Sequence, residues 1–149
     1  MTAYHQIVEI VSVGYERRSI EELVEMLSVN RVDALVDVRL NAISRKRGFS
    51  KTALAKALGE VGIVYRHERS LGNPKENRDP FRLGLQSARD RYVQHLQNGA
   101  SASFGRVINL AQDERIALLC FEREHSDCHR SCILEMAQEE YPNLHVRAL

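Results

Sequence analysis

The sequence predicts a single α/β domain that spans residues 1–149. Short apolar segments rich in β-branched residues alternate with amphipathic helical segments, and this alternation favours a mostly parallel sheet. The chain has 149 residues, of which 44% are hydrophobic, so it is long enough to bury a substantial core. We therefore expect three layers, with about four to five strands in the sheet and helices on both faces.

Five apolar segments are predicted to be strands. The first segment, IVEIVSV, is apolar and β-branched and stops at Gly14, and the fourth, RIALLCF, is apolar after its first residue, so both are expected to be buried. The predicted strands cover residues 7–13, 32–38, 63–65, 115–121 and 144–147.

The helices between these strands have recognisable boundaries. Ser19 and Glu22 have the spacing of a capping box, which predicts a helix at residues 20–28. Ser50 is expected to cap the next helix, and Gly62 follows its last apolar position. Further along the chain we predict a long polar loop and three helices, at residues 68–80, 81–97, 102–112 and 130–140 respectively.

Charge is unevenly distributed, although the formal net charge is only +1. Residues 39–91 hold 13 Lys and Arg against 5 Asp and Glu, whereas the rest of the chain holds 8 basic and 15 acidic residues. Such a basic block indicates one positive face that binds phosphate or another anion. The alternative is a solvated surface whose excess charge is offset by acidic neighbours in the fold.

Several classes of protein are disfavoured. No apolar run approaches the roughly 18 residues of a membrane span, and no secretory signal is visible, so we expect no membrane partner. Three cysteines, all between Cys120 and Cys132, are an odd number, which predicts no disulfide framework and a reduced, cytoplasmic chain. The phosphate-loop and dinucleotide-binding motifs are absent, and we expect no cofactor.

The predicted topology brings polar residues to one edge of the sheet. In parallel sheets, ligands bind outside the carboxyl ends of the strands. The residues at or just after those ends are Tyr15, Asp37, Arg39, His67, Cys120 and Glu122, joined by Cys128, His129 and Arg130 at the start of the next helix. This convergence is the strongest functional signal in the pattern.

Glu122 is the first candidate for catalysis. A carboxylate at a strand end can be a general acid or base, or a nucleophile in glycosyl transfer, and it can equally pair with Arg39 or Arg130. His67 can act as an acid, a base or a ligand, or simply be hydrogen-bonded. Asp37 is expected to be structural and Arg39 to bind the ligand.

Cys128 stands at a predicted helix start, next to His129 and Arg130. The free N–H groups and partial positive charge of a helix N-terminus bind anions and lower the pKa of a thiol. Cys128 would then be a reactive thiolate, and Arg130 would reinforce the effect. The alternative is a buried, inert cysteine, with Arg130 in a structural ion pair.

Zinc is a further interpretation of the same segment. Zinc accepts Cys and His ligands, which are supplied here by Cys120, His125, Cys128, His129 and Cys132. Their spacing matches no standard zinc knuckle, so we expect no resident metal.

A basic loop, Ser44-Arg45-Lys46-Arg47, precedes Phe49. Basic residues bind phosphates and an aromatic ring can stack on a base, so Arg45 is a candidate phosphate ligand. The alternative is a solvated loop with Phe49 packed beneath the next helix.

Motifs along most of the chain are similar to those of one known family. They are SVGY at 12–15, LVDVR at 35–39, SR with Phe49 at 44–49, GIVYRH at 62–67, LG at 71–72, LCFE at 119–122 and CHR at 128–130. On these motifs the chain resembles the bacterial and archaeal family catalogued as domain of unknown function 488. Tyr15 replaces the usual His, and the Pro expected before Ser44 is absent. The resemblance implies no established activity, but it gives weight to the strand-end residues and leaves Cys132 outside the pattern.

We therefore expect an enzyme, a hydrolase or transferase, that acts on a phosphate-bearing substrate such as a nucleotide or nucleic acid. Glycosidic bond cleavage is one reaction that fits. The expected catalytic residues are Glu122, Cys128 and His67, and the expected binding residues are Arg39, Arg45, Arg130, His129, Asp37, Tyr15 and Cys120. The alternatives are a noncatalytic nucleic-acid-binding module and a thiol-dependent sulfur-transfer or redox enzyme.

Overall fold

A computed structural model of the protein describes Ile7 and residues 9–149. It contains a five-stranded sheet in the order β3-β2-β4-β1-β5, and each pairing in it is parallel. The strands are β1 (Glu9–Gly14), β2 (Ala34–Asp37), β3 (Val64–His67), β4 (Ile116–Cys120) and β5 (His145–Ala148). The predicted α/β fold with a parallel sheet is confirmed.

Helices cover both faces of this sheet. The described residues form α1 (Ile20–Val29), α2 (Lys51–Gly59), α3 (Lys75–Arg82), α4 (Gln86–Gln97), α5 (Ser101–Asp113) and α6 (Arg130–Glu140). Successive side chains of a strand point to opposite faces, and the buried residues divide accordingly. Leu119 packs in one cluster with residues of α1 and α2, whereas Leu118 packs in a second cluster with residues of α3 to α6.

The caps of the first two helices differ. Ser19 and Glu22 form the predicted capping box, with hydrogen bonds of 3.1 Å from Glu22 N to Ser19 Oγ and 3.0 Å from Ser19 N to Glu22 Oε1. Ser50 precedes α2, but its hydroxyl bonds to the backbone of Ser44 and not to the helix. The prediction that the Ser50 side chain caps α2 is therefore wrong, because the preceding loop takes its hydrogen bonds.

The segment between β3 and α5 differs most from its prediction. Residues 68–80 are not one loop, since they contain a 3-10 turn (Arg69–Leu71) and most of α3. The predicted helix at 81–97 is divided at Gly84, whose φ of +77° belongs to the left-handed region that ends a helix. Helix α3 is held by the buried Asn77, whose amide nitrogen donates to Asn73 Oδ1 and to the carbonyl oxygen of Ala88.

The topology creates a crevice at the carboxyl end of β4. From β1 the chain passes to α1 on one face, whereas from β4 it passes to α6 on the other. Since β1 and β4 are neighbours, their connections diverge at this point, which is the typical position of a ligand site in an open α/β sheet. None of the helices in the described part of the chain is long and apolar enough to cross a membrane.

Candidate functional site

A cleft of about 130 Å³ lies at this divergence, beside the carboxyl ends of β1, β2 and β4. Its lining combines two cysteines and a histidine with aromatic rings, carboxylates and arginines. The chemically functional residues among those that line it are Tyr15, Arg39, Arg78, Arg82, Cys120, Phe121, Glu122, Asp127, Cys128 and His129. The strand-end residues predicted to converge on one site therefore do so in part.

Glu122 is held in a fixed orientation in this cleft. Its Oε1 accepts hydrogen bonds from Arg82 Nε at 2.9 Å and Arg82 Nη2 at 2.8 Å, and its Oε2 lies 3.4 Å from Cys120 Sγ. The Glu122 side chain is 19% exposed. Arg82 therefore occupies one oxygen and leaves the other beside the sulfur.

Cys120 and Cys128 are joined by a disulfide, with their sulfur atoms 2.10 Å apart. The sequence predicts no disulfide framework and a reduced chain. The fold nevertheless brings the end of β4 against the residues that precede α6, which places these two cysteines next to each other. Cys128 is consequently not a thiolate in this state. Cys132, on α6, is free and buried.

His129 is buried beside this pair. Its Nε2 lies 2.8 Å from the carbonyl oxygen of Val38, and its Nδ1 lies 3.5 Å from Cys128 Sγ. A carbonyl oxygen only accepts, so Nε2 carries the proton and Nδ1 presents a lone pair to the sulfur. Burial lowers the pKa of His129 to about 4, which keeps the ring neutral near pH 7.

Arg39 is engaged with the protein itself. Its Nε and Nη2 donate to Asp37, and its Nη1 donates to the carbonyl oxygen of Phe49 and the hydroxyl of Tyr15. Burial opposes the charge, but the hydrogen bonds and charge of Asp37 outweigh it and raise the pKa of Arg39. Asp37 also accepts a hydrogen bond from the Tyr65 hydroxyl, at 2.5 Å. These contacts give the pair a structural role at the end of β2.

Arg130 is fully buried behind the cleft, at 0% exposure. Its Nη2 donates to the backbone oxygen of Glu122, and burial lowers its pKa to about 10. Within the described part of the chain, its Nε and Nη1 have no hydrogen-bond partner. Arg130 thus supports the backbone that carries Glu122 and is not among the cleft-lining residues.

Two further predicted residues lie outside the cleft lining. His67 Nε2 donates to the carbonyl oxygen of Arg39 at 2.7 Å, which fixes the chain after β2. Arg45 is exposed on its loop and contributes nothing to the lining. Phe49 is fully buried, stacks on Tyr15 at 4.5 Å and packs in one cluster with residues of α1 and α2, so its ring is not available to stack on a base.

Arg78 and Arg82 line the cleft but were not singled out from the sequence. They stand four residues apart on α3, so they share one face of that helix. The predicted loop concealed this spacing. A helical interpretation of KENRDPFR would have found both.

The basic block is interspersed with acidic partners. Four of its arginines form ion pairs with carboxylates: Arg39 with Asp37, Arg47 with Glu21, Arg82 with Glu122 and Arg89 with Glu135. These pairs lie in different parts of the molecule, as expected if folding disperses the excess charge. The block therefore does not form one continuous unpaired face.

A protein-family model described as Domain of unknown function DUF488 matches residues 19–137 of the chain. The matched region includes α1 to α5, the strand ends of β2, β3 and β4, and the Cys-His-Arg sequence at 128–130. Searches of curated proteins and of solved structures find no match.

Proposed function

The chain belongs to the family described as domain of unknown function DUF488, and we propose that it is an enzyme that cleaves the glycosidic bond of a phosphate-bearing small molecule such as a nucleotide. One observation carries this proposal. It is the Glu122 carboxylate, held by Arg82 at the carboxyl end of the central strand, next to an exposed aromatic ring.

Glu122 has the environment of an acid–base catalyst. A general acid or base must reach its proton from a fixed position. The two hydrogen bonds from Arg82 occupy Oε1, so Oε2 remains the oxygen that exchanges a proton with the leaving group or with water. Glycosidases place two carboxyl groups around the bond they cleave, and Asp127 supplies a second carboxylate to this cleft.

The cleft also offers groups that recognise a nucleotide. Phe121 is 40% exposed and makes an edge contact with Tyr15, so its ring is available to stack on a base. Among the described residues, Arg78 makes one weak hydrogen bond, from Nε to Asn73 O at 3.4 Å, which leaves its terminal nitrogens for a phosphate. The volume of about 130 Å³ is below the roughly 300–1,000 Å³ of pockets that bury a drug-sized ligand, so the cleft would enclose only the part of a nucleotide around its glycosidic bond.

Binding of a nucleic-acid polymer has less support. It needs a row of cations along the path of a backbone. Here Arg39, Arg47, Arg82 and Arg89 already have carboxylate partners. We therefore favour a mononucleotide substrate over a noncatalytic polymer-binding role.

A thiol-dependent redox enzyme is the second candidate, because the Cys120–Cys128 disulfide lines the cleft. Exchange requires a partner thiolate to attack one of the two sulfurs. Each cysteine is only 1% exposed, so the cleft would have to open before such an attack. This burial favours the glycosidic proposal.

Product analysis tests the proposed function. Purified protein, with and without added micromolar zinc, is incubated with nucleoside 5′-phosphates and with the matching nucleosides, and the released base is quantified by chromatography. We expect release from at least one nucleotide and much less from its nucleoside. Glu122→Gln should lose at least about a hundredfold in rate, the typical contribution of a positioned acid or base.

Glu135→Gln is the matched control, since Glu135 is paired with Arg89 and is not among the residues that line the cleft. It should retain the wild-type rate. The proposal fails if no nucleotide yields free base, or if Glu122→Gln releases base as fast as Glu135→Gln.

A further inference from the structure

We propose that Cys120, Cys128 and His129 form a zinc site at the base of the cleft when the bond between the two cysteines is reduced. The expectation of no resident metal rested on sequence spacing, which does not show what the fold brings together. The existence of this site does not depend on the proposed function. Only the part that the zinc ion would have in catalysis rests on that function.

The three donor atoms are already assembled. The two sulfur atoms and a ring nitrogen of His129 all lie within 4.8 Å of one another, and all three residues are buried. Two thiolates and one imidazole are a donor set of catalytic zinc sites, in which the fourth position stays open. Two thiolate charges also neutralise the charge of Zn²⁺, so the complete site can be buried.

His129 is oriented as a metal ligand. A ligating histidine almost always donates its other ring N–H to a carbonyl or carboxylate, which fixes the lone pair of the ligating nitrogen. In this protein Nε2 donates to the Val38 carbonyl oxygen at 2.8 Å, and Nδ1 lies 3.5 Å from Cys128 Sγ. The hydrogen bond to Val38 is an observation independent of the cysteines.

The backbone leaves room for an ion. Cys120 ends β4 and Cys128 precedes α6, so two packed elements hold the pair. Their Cα atoms are 7.5 Å apart, wider than the separation of about 4.4–6.8 Å usual across a disulfide. Two thiolates that share a zinc ion stand farther apart than two bonded sulfurs, at about 3.8 Å for tetrahedral angles and Zn–S bonds of about 2.3 Å.

The open position would face Glu122. Its Oε2 is 3.4 Å from Cys120 Sγ, and Arg82 holds its other oxygen. Zinc lowers the pKa of a bound water to about 7, and a neighbouring carboxylate can take the proton of such a water.

The redox state of Cys120 and Cys128 determines whether this site can bind zinc. Reduction by a phosphine consumes one phosphine and one water and yields two thiols and one phosphine oxide. Zinc then displaces the two thiol protons, which pass to solvent. In a reducing compartment, cellular thiols supply the reducing electrons.

Cobalt titration of the full chain tests this site. Protein reduced with a phosphine under argon is titrated with Co²⁺, and the visible and near-ultraviolet spectra are recorded. We expect one Co²⁺ per chain, with tetrahedral d–d bands and sulfur-to-cobalt charge transfer that zinc abolishes. The unreduced protein should give neither. No charge transfer in the reduced wild type, or equal binding by both forms, overturns the proposal.

Variants identify the ligands. Cys120→Ser and Cys128→Ser should lose stoichiometric zinc, measured by mass spectrometry of the metal, and His129→Gln should bind at least about tenfold more weakly. Cys132→Ser is the matched control and should keep one zinc. The titration of the wild type decides by itself whether the site exists. A variant that fails to fold therefore does not affect the outcome. Undiminished binding by folded Cys120→Ser refutes the site.

Different results would disprove the zinc site and the proposed enzymatic activity. A chain that binds one zinc but releases no base keeps the site and loses the proposed function. A chain that releases base at the same rate after zinc removal, yet shows the cobalt spectrum, keeps both the site and the enzyme but loses the ion's part in catalysis.

Discussion

Arg39 and Asp37 form a buried, two-point ion pair that closes the end of β2. Arg39 Nε lies 2.9 Å from Asp37 Oδ1, and Arg39 Nη2 lies 2.7 Å from Asp37 Oδ2. Their side chains are 7% and 0% exposed, so each charge depends on the other for compensation. Through Nη1 the same guanidinium contacts Tyr15 and the backbone of Phe49, and it thereby shapes one wall of the cleft.

Removing one charge of this pair should lower the stability of the protein. Asp37→Asn leaves the Arg39 charge buried without a compensating carboxylate, and we expect the free energy of unfolding to fall by about 3–5 kcal/mol. Urea denaturation measures it. Glu21→Gln is the control, because Glu21 and Arg47 form a pair that is 65% and 82% exposed. It should leave the free energy of unfolding close to that of the wild type. Equal losses would contradict a structural role for the buried pair.

Gly14 is required by a close backbone contact. A Cβ at this position would lie 1.9 Å from the backbone oxygen of Glu122. Gly14→Ala should therefore destabilise the protein by about 1–3 kcal/mol or more and displace the strand end that carries Glu122. Gly105→Ala in α5 meets nothing within 4 Å and should instead stabilise it by about 0.5–1 kcal/mol. Thermal denaturation of both variants distinguishes these signs, and a loss in Gly105→Ala would count against this account.

Ionisation of the Cys132 thiol makes the free energy of unfolding depend on pH in the alkaline range. Burial raises the pKa of its thiol from 9.0 to about 11, so the native state holds a proton that the unfolded state loses first. The stabilisation is fully present below pH 9 and is lost as the pH rises through about 11. In the oxidised protein, the difference in unfolding free energy between wild type and Cys132→Ala should change by about 2–3 kcal/mol over that range. A constant difference from pH 8 to 11 would show that the thiol is not perturbed.

Substitutions of Arg78 and Arg45 distinguish phosphate binding in the cleft from phosphate binding at the basic loop. Arg78 lines the cleft, whereas Arg45 is exposed outside it. Arg78→Ala should weaken binding of a nucleoside 5′-monophosphate at least about tenfold, the value of one charge-assisted hydrogen bond. Arg45→Ala should stay within about twofold of the wild type. Calorimetric titration measures both, and the reverse ranking would support polymer binding through the basic loop.

Much of the fold follows from local patterns in the sequence. The capping box at Ser19 begins α1, and α6 has the predicted bounds, Arg130–Glu140. These segments combine apolar periodicity with clear end signals. Helix α3 has neither, since KENRDPFR is almost wholly polar. It depends on Asn77, whose hydrogen bonds reach Asn73 and Ala88 and cannot be seen in a local window.

The location of the site was predictable, but its pairings were not. The rule for parallel sheets placed Tyr15, Cys120, Glu122 and His129 at one edge, and all four line the cleft. Which cations face the cleft depends on partners distant in the chain. Arg82 is 40 residues from Glu122, and no spacing rule joins them.

Orientation was the second limit of prediction. Arg130 is adjacent to His129 in sequence, yet its guanidinium is buried behind the cleft. The same limit hid the proximity of Cys120 to Cys128, because strand end and helix start meet only in the folded sheet.

The most direct measurement is a map of where a nucleotide binds. Glu122→Gln protein labelled with ¹⁵N is titrated with the nucleoside 5′-monophosphate that the wild type cleaves, or with adenosine 5′-monophosphate if none is cleaved, and amide shifts are followed by NMR. We predict that the largest changes occur at Tyr15, Phe121 and His129, which line the cleft. Changes confined to the loop at residues 44–47, or none at millimolar nucleotide, would contradict the assignment of the cleft as the functional site.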